Sequence, residues 1–259
     1  MKVIILCGGM GTRLREETEY KPKPMVEIGG RPILWHIMKL YAHHGYKEFV
    51  LALGYKGDII RNYFLNYHFY NNDFTVNLGG KGGVRVWGDH GEHDWMVTLV
   101  ETGTDSMTGY RVKLCEKYVT DDFFMLTYGD AVSNIDITRL VAFHRKHGKI
   151  GTVTGVFPPS RFGDLTVSRD LVRKFKEKPK LIQGQNPING GFFVFRKEFF
   201  SMIPADPSCD LEKDPLEKLA AKGELTVYRH SGFWQCMDTY RDYILLNKLW
   251  SAGPEWKVW

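Results

Sequence analysis

No stretch of the 259 residues approaches the ~18–20 consecutive apolar positions that a membrane-spanning helix needs, and the apolar run after Lys2 stops at Gly8-Gly9. The expectation is a soluble chain with no signal peptide and no membrane partner. Cysteine is scarce: Cys7, Cys115, Cys209 and Cys236 are widely spaced and form no CxxC pair. That argues against a zinc ribbon or a disulfide framework and fits a reducing, cytoplasmic compartment. A long basic block is missing as well. The 35 Lys and Arg are dispersed among 30 Asp and Glu, whereas a nucleic-acid binder concentrates its cations on a stripe, so no nucleic-acid partner is expected. The net charge of +5 still suits a small ligand that carries phosphate. There is no Gly-Lys-Ser/Thr loop and no GxGxxG fingerprint, which disfavours both a Walker-type nucleotidase and a nicotinamide dehydrogenase. Without a linker rich in Pro, Gly or Ser, and without a repeat, residues 1–259 are expected to form one domain.

What is present is ordinary globular material with an excess of aromatics. Apolar residues make up 43% and charged residues 25%, which rules out a disordered or fibrous chain. Seven Trp, 13 Tyr and 16 Phe point to core or subunit contacts more than to base stacking.

Val3-Ile4-Ile5-Leu6 is a continuous apolar run, the pattern of a strand buried on both faces. Behind Pro32, the residues Ile33, Ile37, Leu40 and Tyr41 recur at helical spacing until Gly45. Phe49–Leu53 is again a buried strand, followed by a helix that carries Ile59, Ile60, Tyr63 and Phe64. Strand, helix, strand, helix implies right-handed crossovers and a parallel sheet. Phe123–Thr127 predicts another central strand and Ile137–His147 a helix. Beyond Gly151 the pattern alternates, with strands at Thr152–Phe157, Leu165–Ser168, Val172–Lys176 and Phe192–Phe195. Helices follow near Pro215–Ala221 and from Tyr240 to Trp250. The fold class is therefore α/β: a Rossmann-like, mostly parallel mixed sheet flanked by helices, with residues 71–109 as a small β elaboration.

Leu6-Cys7-Gly8-Gly9-Met10-Gly11-Thr12-Arg13 sits where an open α/β sheet binds its ligand, outside the carboxyl end of a strand. Glycines there let backbone N–H groups approach phosphate oxygens, and Arg13 adds a cation. A tight strand-to-helix turn would account for the glycines equally well. Lys21-Pro22-Lys23-Pro24 tips the balance: prolines stiffen an extended segment and hold two cations near the same mouth. Asp130 closes the strand that ends in Tyr128-Gly129, where a carboxylate needs a cation or metal beside it. A strand-end turn for Asp130, and a helix cap for Asp238, are the plainer alternatives. His90 and His93 fall in a polar loop whose spacing could hold a metal, although such loops are usually only solvated.

The pair of segments Gly8–Arg13 and Lys21–Pro24 resembles the signature of the sugar-1-phosphate nucleotidyltransferases. The likeness continues through Tyr128-Gly129-Asp130, Phe162-Gly163, Glu177-Lys178-Pro179, Asn189-Gly190-Gly191 and Trp234 to Asp238, nearly the whole chain. Met25–His36, Ser106-Met107-Thr108-Gly109 and Phe233–Thr239 look like the branch that pairs CTP with glucose 1-phosphate. Cys7 stands where a small alanine is usual and Ala131 where glycine is common. The resemblance implies nucleotide contacts from Leu6, Gly8, Gly9, Met10, Gly11, Thr12, Arg13, Lys23 and Gly129, with Ser106 and Arg111 touching base and phosphate. It implies Mg2+ on Asp130 and Asp238, and a sugar-phosphate half at 151–239 carrying Gly163, Glu177, Lys178, Asn189 and Trp234. Arg13, Lys23, Asp130, Lys178 and Asp238 form the implied catalytic set, and the branch implies a homo-oligomer, a hexamer. The alternatives are another nucleotide or sugar, such as GTP with mannose 1-phosphate, and a sugar-nucleotide-binding regulatory subunit without turnover.

Overall fold

A computed structural model describes residues 1–79, 83–158, 164–176 and 186–259. Its central sheet contains β1 (Val3–Cys7), β2 (Glu48–Leu53), β3 (Met96–Glu101), β4 (Phe123–Tyr128), β5 (Gly151–Val156), β6 (Ile188–Arg196) and β7 (Leu225–His230). Their spatial order is β7-β5-β6-β4-β1-β2-β3. β1 pairs in parallel with β2 and β4, β2 with β3, and β5 with β7, while β6 runs against both of its neighbours. This is the mostly parallel mixed sheet expected from the sequence.

Every residue of β1 is buried because both faces of the strand are covered. Val3, Ile5 and Cys7 face a core shared with helices α1 (Ile33–His43), α2 (Gly57–Leu65), α4 (Ile137–His147) and α5 (Tyr240–Ala252). Ile4 and Leu6 face the opposite core, built on α3 (Thr108–Leu114), Phe199, Phe200 and Leu219. The period-two alternation of the strand thus explains the unbroken apolar run. The aromatic excess goes largely into these layers: Phe124, Phe192, Phe193, Phe195 and Trp256 are all buried.

The segment 71–109 divides in two. Asp73–Val76 and Val84–Trp87 form an exposed hairpin outside the central sheet, whereas Met96–Glu101 is the edge strand β3, in register with β2 from Glu48 opposite Met96 to Leu53 opposite Glu101. An edge strand is only half covered, so its sequence carries a weak pattern. The helix expected near Pro215 opens with a π turn, Glu212–Leu216, in which the Leu216 N–H donates to the Leu211 carbonyl at 3.0 Å.

Two features aim the carboxyl end of the sheet at one point. Ala131–Ser133 pairs antiparallel with Trp234–Cys236, Ala131 lying opposite Cys236. One residue further on, the Met237 N–H donates to the Asp130 carbonyl at 2.8 Å, which sets Asp238 beside Asp130. α5 then starts with a capping box. The Thr239 hydroxyl accepts from the Asp242 N–H and the Asp242 carboxylate accepts from the Thr239 N–H, an arrangement worth about 1 kcal/mol. Asp238 is therefore not the helix cap, and its side chain is directed elsewhere.

Candidate active site

The crevice opens between the carboxyl ends of β1 and β4, where connections leave the sheet in opposite directions, the usual ligand position of an open α/β sheet. After Cys7 the chain makes a 3-10 turn at Thr12–Leu14 and a short helix at Arg15–Thr18. Gly11 has φ of 62°, in the left-handed region that a side chain disfavours. The Thr18 hydroxyl donates to the Gly11 and Leu14 carbonyls at 3.0 and 2.8 Å and holds the turn shut. Lys23-Pro24-Met25 forms a single 3-10 turn rather than the extended segment expected. Pro24 occupies a position where the turn leaves a backbone N–H unpaired, so the missing donor costs nothing. Pro22 before it is extended, as proline geometry requires.

Lys23 is the centre of the site. Its ammonium donates to Asp130 Oδ2 at 2.7 Å and to Asp238 Oδ1 at 2.5 Å, and Arg13 Nη1 lies 3.0 Å from Asp238 Oδ2. Burial works against the Lys23 charge, but Asp130 and Asp238 outweigh it and hold the ammonium pKa above its ordinary value. Only 12% of the Lys23 side chain is exposed, whereas Arg13 is 74% exposed and free to follow a ligand. The four residues form a charge-balanced knot at the mouth of a cleft of about 260 Å³.

Leu6, Gly9, Gly11, Thr12, Arg13, Lys23, Gly129, Asp130 and Asp238 line that cleft, all of them named from sequence. Cys7, Pro24, Thr108 and Tyr128 line it too. The last two belong to motifs quoted above, but their side chains had no assigned role. Cys7 is fully covered and burial pushes its thiol pKa up, so it contributes shape and not a nucleophile.

Gly8, Met10, Ser106 and Arg111 lie outside the lining. Arg111 is buried behind the loop. Its Nη1 donates to the carbonyls of Leu53 and Gly103 at 3.2 and 2.7 Å and to the Thr102 hydroxyl at 2.6 Å, and its Nη2 donates to the Thr104 carbonyl at 3.0 Å. A Cβ on Gly8 would come within 2.2 Å of Arg111 Nη1, so this glycine is required by close packing. Ser106 is turned away, donating to the Thr102 carbonyl at 2.5 Å.

Of the residues expected on the sugar side, the Asn189 amide donates to the Tyr128 hydroxyl at 3.2 Å and Trp234 Nε1 donates to the Gly190 carbonyl at 2.8 Å. Both residues thus meet the end of β6 beside the cleft. Gly163, Glu177 and Lys178 lie outside the described residues, as does Phe162. Glu212, which sequence reasoning missed, accepts from Tyr128 and, at 2.9 Å, from Thr108. It sits in a charged stretch, Asp210–Asp214, that gave no signal.

The carboxylates of Asp130 and Asp238 converge on one positive point, the Lys23 ammonium, and both offer hard oxygen donors. That donor set fits a hard divalent cation, which takes one or two carboxylates and completes its shell with phosphates and water. Among the described residues no group of three or more His, Cys, Asp or Glu is placed to hold a metal without substrate. His90 pairs with His68 at 3.0 Å and His93 with Asp89 at 2.9 Å.

Comparison with known proteins agrees with this geometry. The profile of the family described as Nucleotidyl transferase matches residues 2–251. The chain is 49% identical to glucose-1-phosphate cytidylyltransferase of Salmonella typhi over 100% of both chains. It is 30% identical to the mannose-1-phosphate guanylyltransferase catalytic subunit beta of Dictyostelium discoideum, over 98% of this chain and 67% of that protein. The crystal structure of HddC from Yersinia pseudotuberculosis complexed with GMP-PN superimposes with a TM-score of 0.70 at 23% identity, covering 96% of this chain and 99% of that one, a likeness of fold.

Proposed function

The chain belongs to the nucleotidyl transferase family, and from that premise we propose that it transfers the cytidylyl group of CTP to glucose 1-phosphate, giving CDP-glucose and pyrophosphate. The observation that carries the reading is the knot of Arg13, Lys23, Asp130 and Asp238 at the mouth of the glycine-lined cleft, in a chain 49% identical along its whole length to a glucose-1-phosphate cytidylyltransferase. A regulatory subunit that only binds a sugar nucleotide has no use for both carboxylates.

The phosphate of a sugar 1-phosphate has a second pKa near ~6 and is largely a dianion at neutral pH, so one of its oxygens attacks the α-phosphorus of CTP without a general base. The pair of electrons moves to the bridging oxygen and pyrophosphate leaves. Catalysis is then a matter of placement and charge. Backbone N–H groups of the Gly8–Thr12 loop, with Arg13 and Lys23, face the triphosphate and neutralise the charge that collects on the leaving group. Asp130 and Asp238 would hold a magnesium ion, which would supply further neutralisation of the phosphates. Asn189 and Trp234 border the sugar, and by family resemblance Gly163, Glu177 and Lys178 complete that pocket, Lys178 facing the sugar phosphate.

We place the enzyme in the cytoplasm, a reading supported by the buried thiols of Cys7, Cys115 and Cys209, none of which forms a disulfide. Among the described residues no helix is long and apolar enough to cross a membrane. A homo-oligomer, hexameric as in the family, is supported by the half-exposed Phe74, Val76, Val84 and Trp87 of the hairpin. The reaction is tested with glucose 1-phosphate carrying 18O in its three non-bridging phosphate oxygens. CDP-glucose that retains all three labels, with unlabelled pyrophosphate, is the expected outcome. Label in the pyrophosphate, or no CDP-glucose, overturns the proposal.

A further inference from the structure

Glu212 lies behind the cleft and ties its two sides together. Its Oε1 accepts from the Tyr128 hydroxyl and its Oε2 accepts from the Thr108 hydroxyl at 2.9 Å. Both donors line the cleft, Thr108 at the first turn of α3 and Tyr128 at the end of β4, two residues before Asp130. Each is also fixed from behind. Thr108 Oγ1 accepts from the Leu211 N–H at 3.0 Å, so its proton points at Glu212. The Tyr128 oxygen accepts from Asn189 Nδ2 at 3.2 Å, so its proton points at Glu212 as well. Asn189 Oδ1 in turn accepts from the Gly191 N–H at 2.9 Å, which fixes the rotation of the amide.

All these bonds run one way, toward the carboxylate. Both carboxylate oxygens accept here, whereas the amide of a glutamine would offer one acceptor and one donor, so a carboxylate imposes that direction on both hydroxyls. Burial and the negative charge of Glu212 push the Tyr128 pKa up, which keeps the phenol protonated and able to donate. The backbone beneath Glu212 is the π turn at Glu212–Leu216, an irregularity that recurs at functional sites because it re-aims a side chain. A network satisfied at every member holds one geometry more firmly than its separate bonds would.

We infer that Glu212 is a positioning residue for the sugar phosphate, acting through the Tyr128 hydroxyl on the Asn189 amide. This rests on the proposed function, in which Asn189 borders the hexose. Without the carboxylate, the tyrosine proton is no longer committed, the Asn189 amide loses its defined acceptor, and the pocket must be ordered by the sugar itself.

Steady-state kinetics on the full-length enzyme tests it, with magnesium, CTP and glucose 1-phosphate. Glu212→Gln keeps the shape but presents an amide, and the expected result is a rise of about tenfold in KM for glucose 1-phosphate with KM for CTP changed less than about twofold. Tyr128→Phe, which removes one oxygen and leaves the ring in place, gives the same signature and serves alone if the glutamine variant does not fold. In the double variant the two effects do not multiply, because both break one chain of bonds. Equal rises in both KM values, or a fall in kcat with both KM values unchanged, overturn the inference, since either marks a general structural role. Multiplying effects in the double variant also overturn it. If the wild type itself makes no CDP-glucose, the proposed function has failed, which is a different result from an active wild type with unaffected variants.

Discussion

Replacing Lys23 with methionine keeps the aliphatic stem and deletes the ammonium between Asp130 and Asp238. In the native site that nitrogen lies 2.7 and 2.5 Å from the two carboxylates. Charge-assisted bonds of this kind are worth about 1.5–3 kcal/mol each, but the three side chains remain 12, 29 and 19% exposed, so solvent screening lowers the net. Removing one partner of a fully buried pair costs about 3–5 kcal/mol and of an exposed pair about 0–1. The intermediate exposure here, with Arg13 still beside Asp238, predicts a loss of about 2 kcal/mol for Lys23→Met. For a chain of this size that lowers Tm by roughly 4–8 °C. Magnesium should recover more of that loss in the variant than it adds to the wild type, because the two carboxylates would face each other with no cation between them. Thermal unfolding followed by circular dichroism, with and without millimolar magnesium, reads both effects. A Tm shift below about 1 °C, or no differential response to magnesium, would refute the assignment of Lys23 as the cation that offsets this pair.

Asp130→Asn and Asp238→Asn are each predicted to lower kcat by at least about a hundredfold while costing only ~1 kcal/mol of stability, since Lys23 keeps the other carboxylate; near wild-type kcat at saturating magnesium would remove that residue from the metal set. Lys178→Ala is predicted to raise KM for glucose 1-phosphate about tenfold or more and to leave KM for CTP nearly unchanged, and equal effects on both would put Lys178 with the triphosphate. His36 and His144 are buried, and burial pushes each pKa down to about 4 from 6.5. The unfolded chain takes up these protons first, so stability is full above pH 6.5 and falls toward pH 4, by up to about 1.4 kcal/mol per pH unit for each residue. A Tm that stays flat between pH 6.5 and 5 would contradict it, and His36→Gln should make the wild-type slope shallower.

The parts of the fold set by local pattern were legible in the residues. The unbroken run at Val3–Leu6 marked a strand covered on both faces, and the helix at Ile137–His147 has the expected bounds because Asp136 caps it and Gly148 ends it. The loop from Gly8 to Arg13, with Lys23 and Asp130, was legible because glycine frees the backbone for tight turns and proline fixes it, and a sequence displays both. What depends on register was not. Asp238 meets Asp130 only because Ala131–Ser133 and Trp234–Cys236 pair in one alignment, which no local pattern encodes. The edge strand Met96–Glu101 escaped notice as part of the central sheet because half of it faces solvent. Arg111 was expected at the ligand, but its guanidinium turns to backbone carbonyls behind the loop, a direction fixed by packing against Gly8 and Gly54. Glu212 gave no signal, since an acidic residue among Asp210, Lys213 and Asp214 looks like any solvated surface.

The central claim is that this cleft selects CTP for transfer to glucose 1-phosphate. Pyrophosphate release measured with glucose 1-phosphate and, in turn, CTP, UTP, dTTP and GTP tests it most directly. The expected kcat/KM for CTP is at least about tenfold above each of the others, the discrimination that about 1.4 kcal/mol of differential binding provides. An equal or greater kcat/KM with any of the other three nucleotides would contradict it.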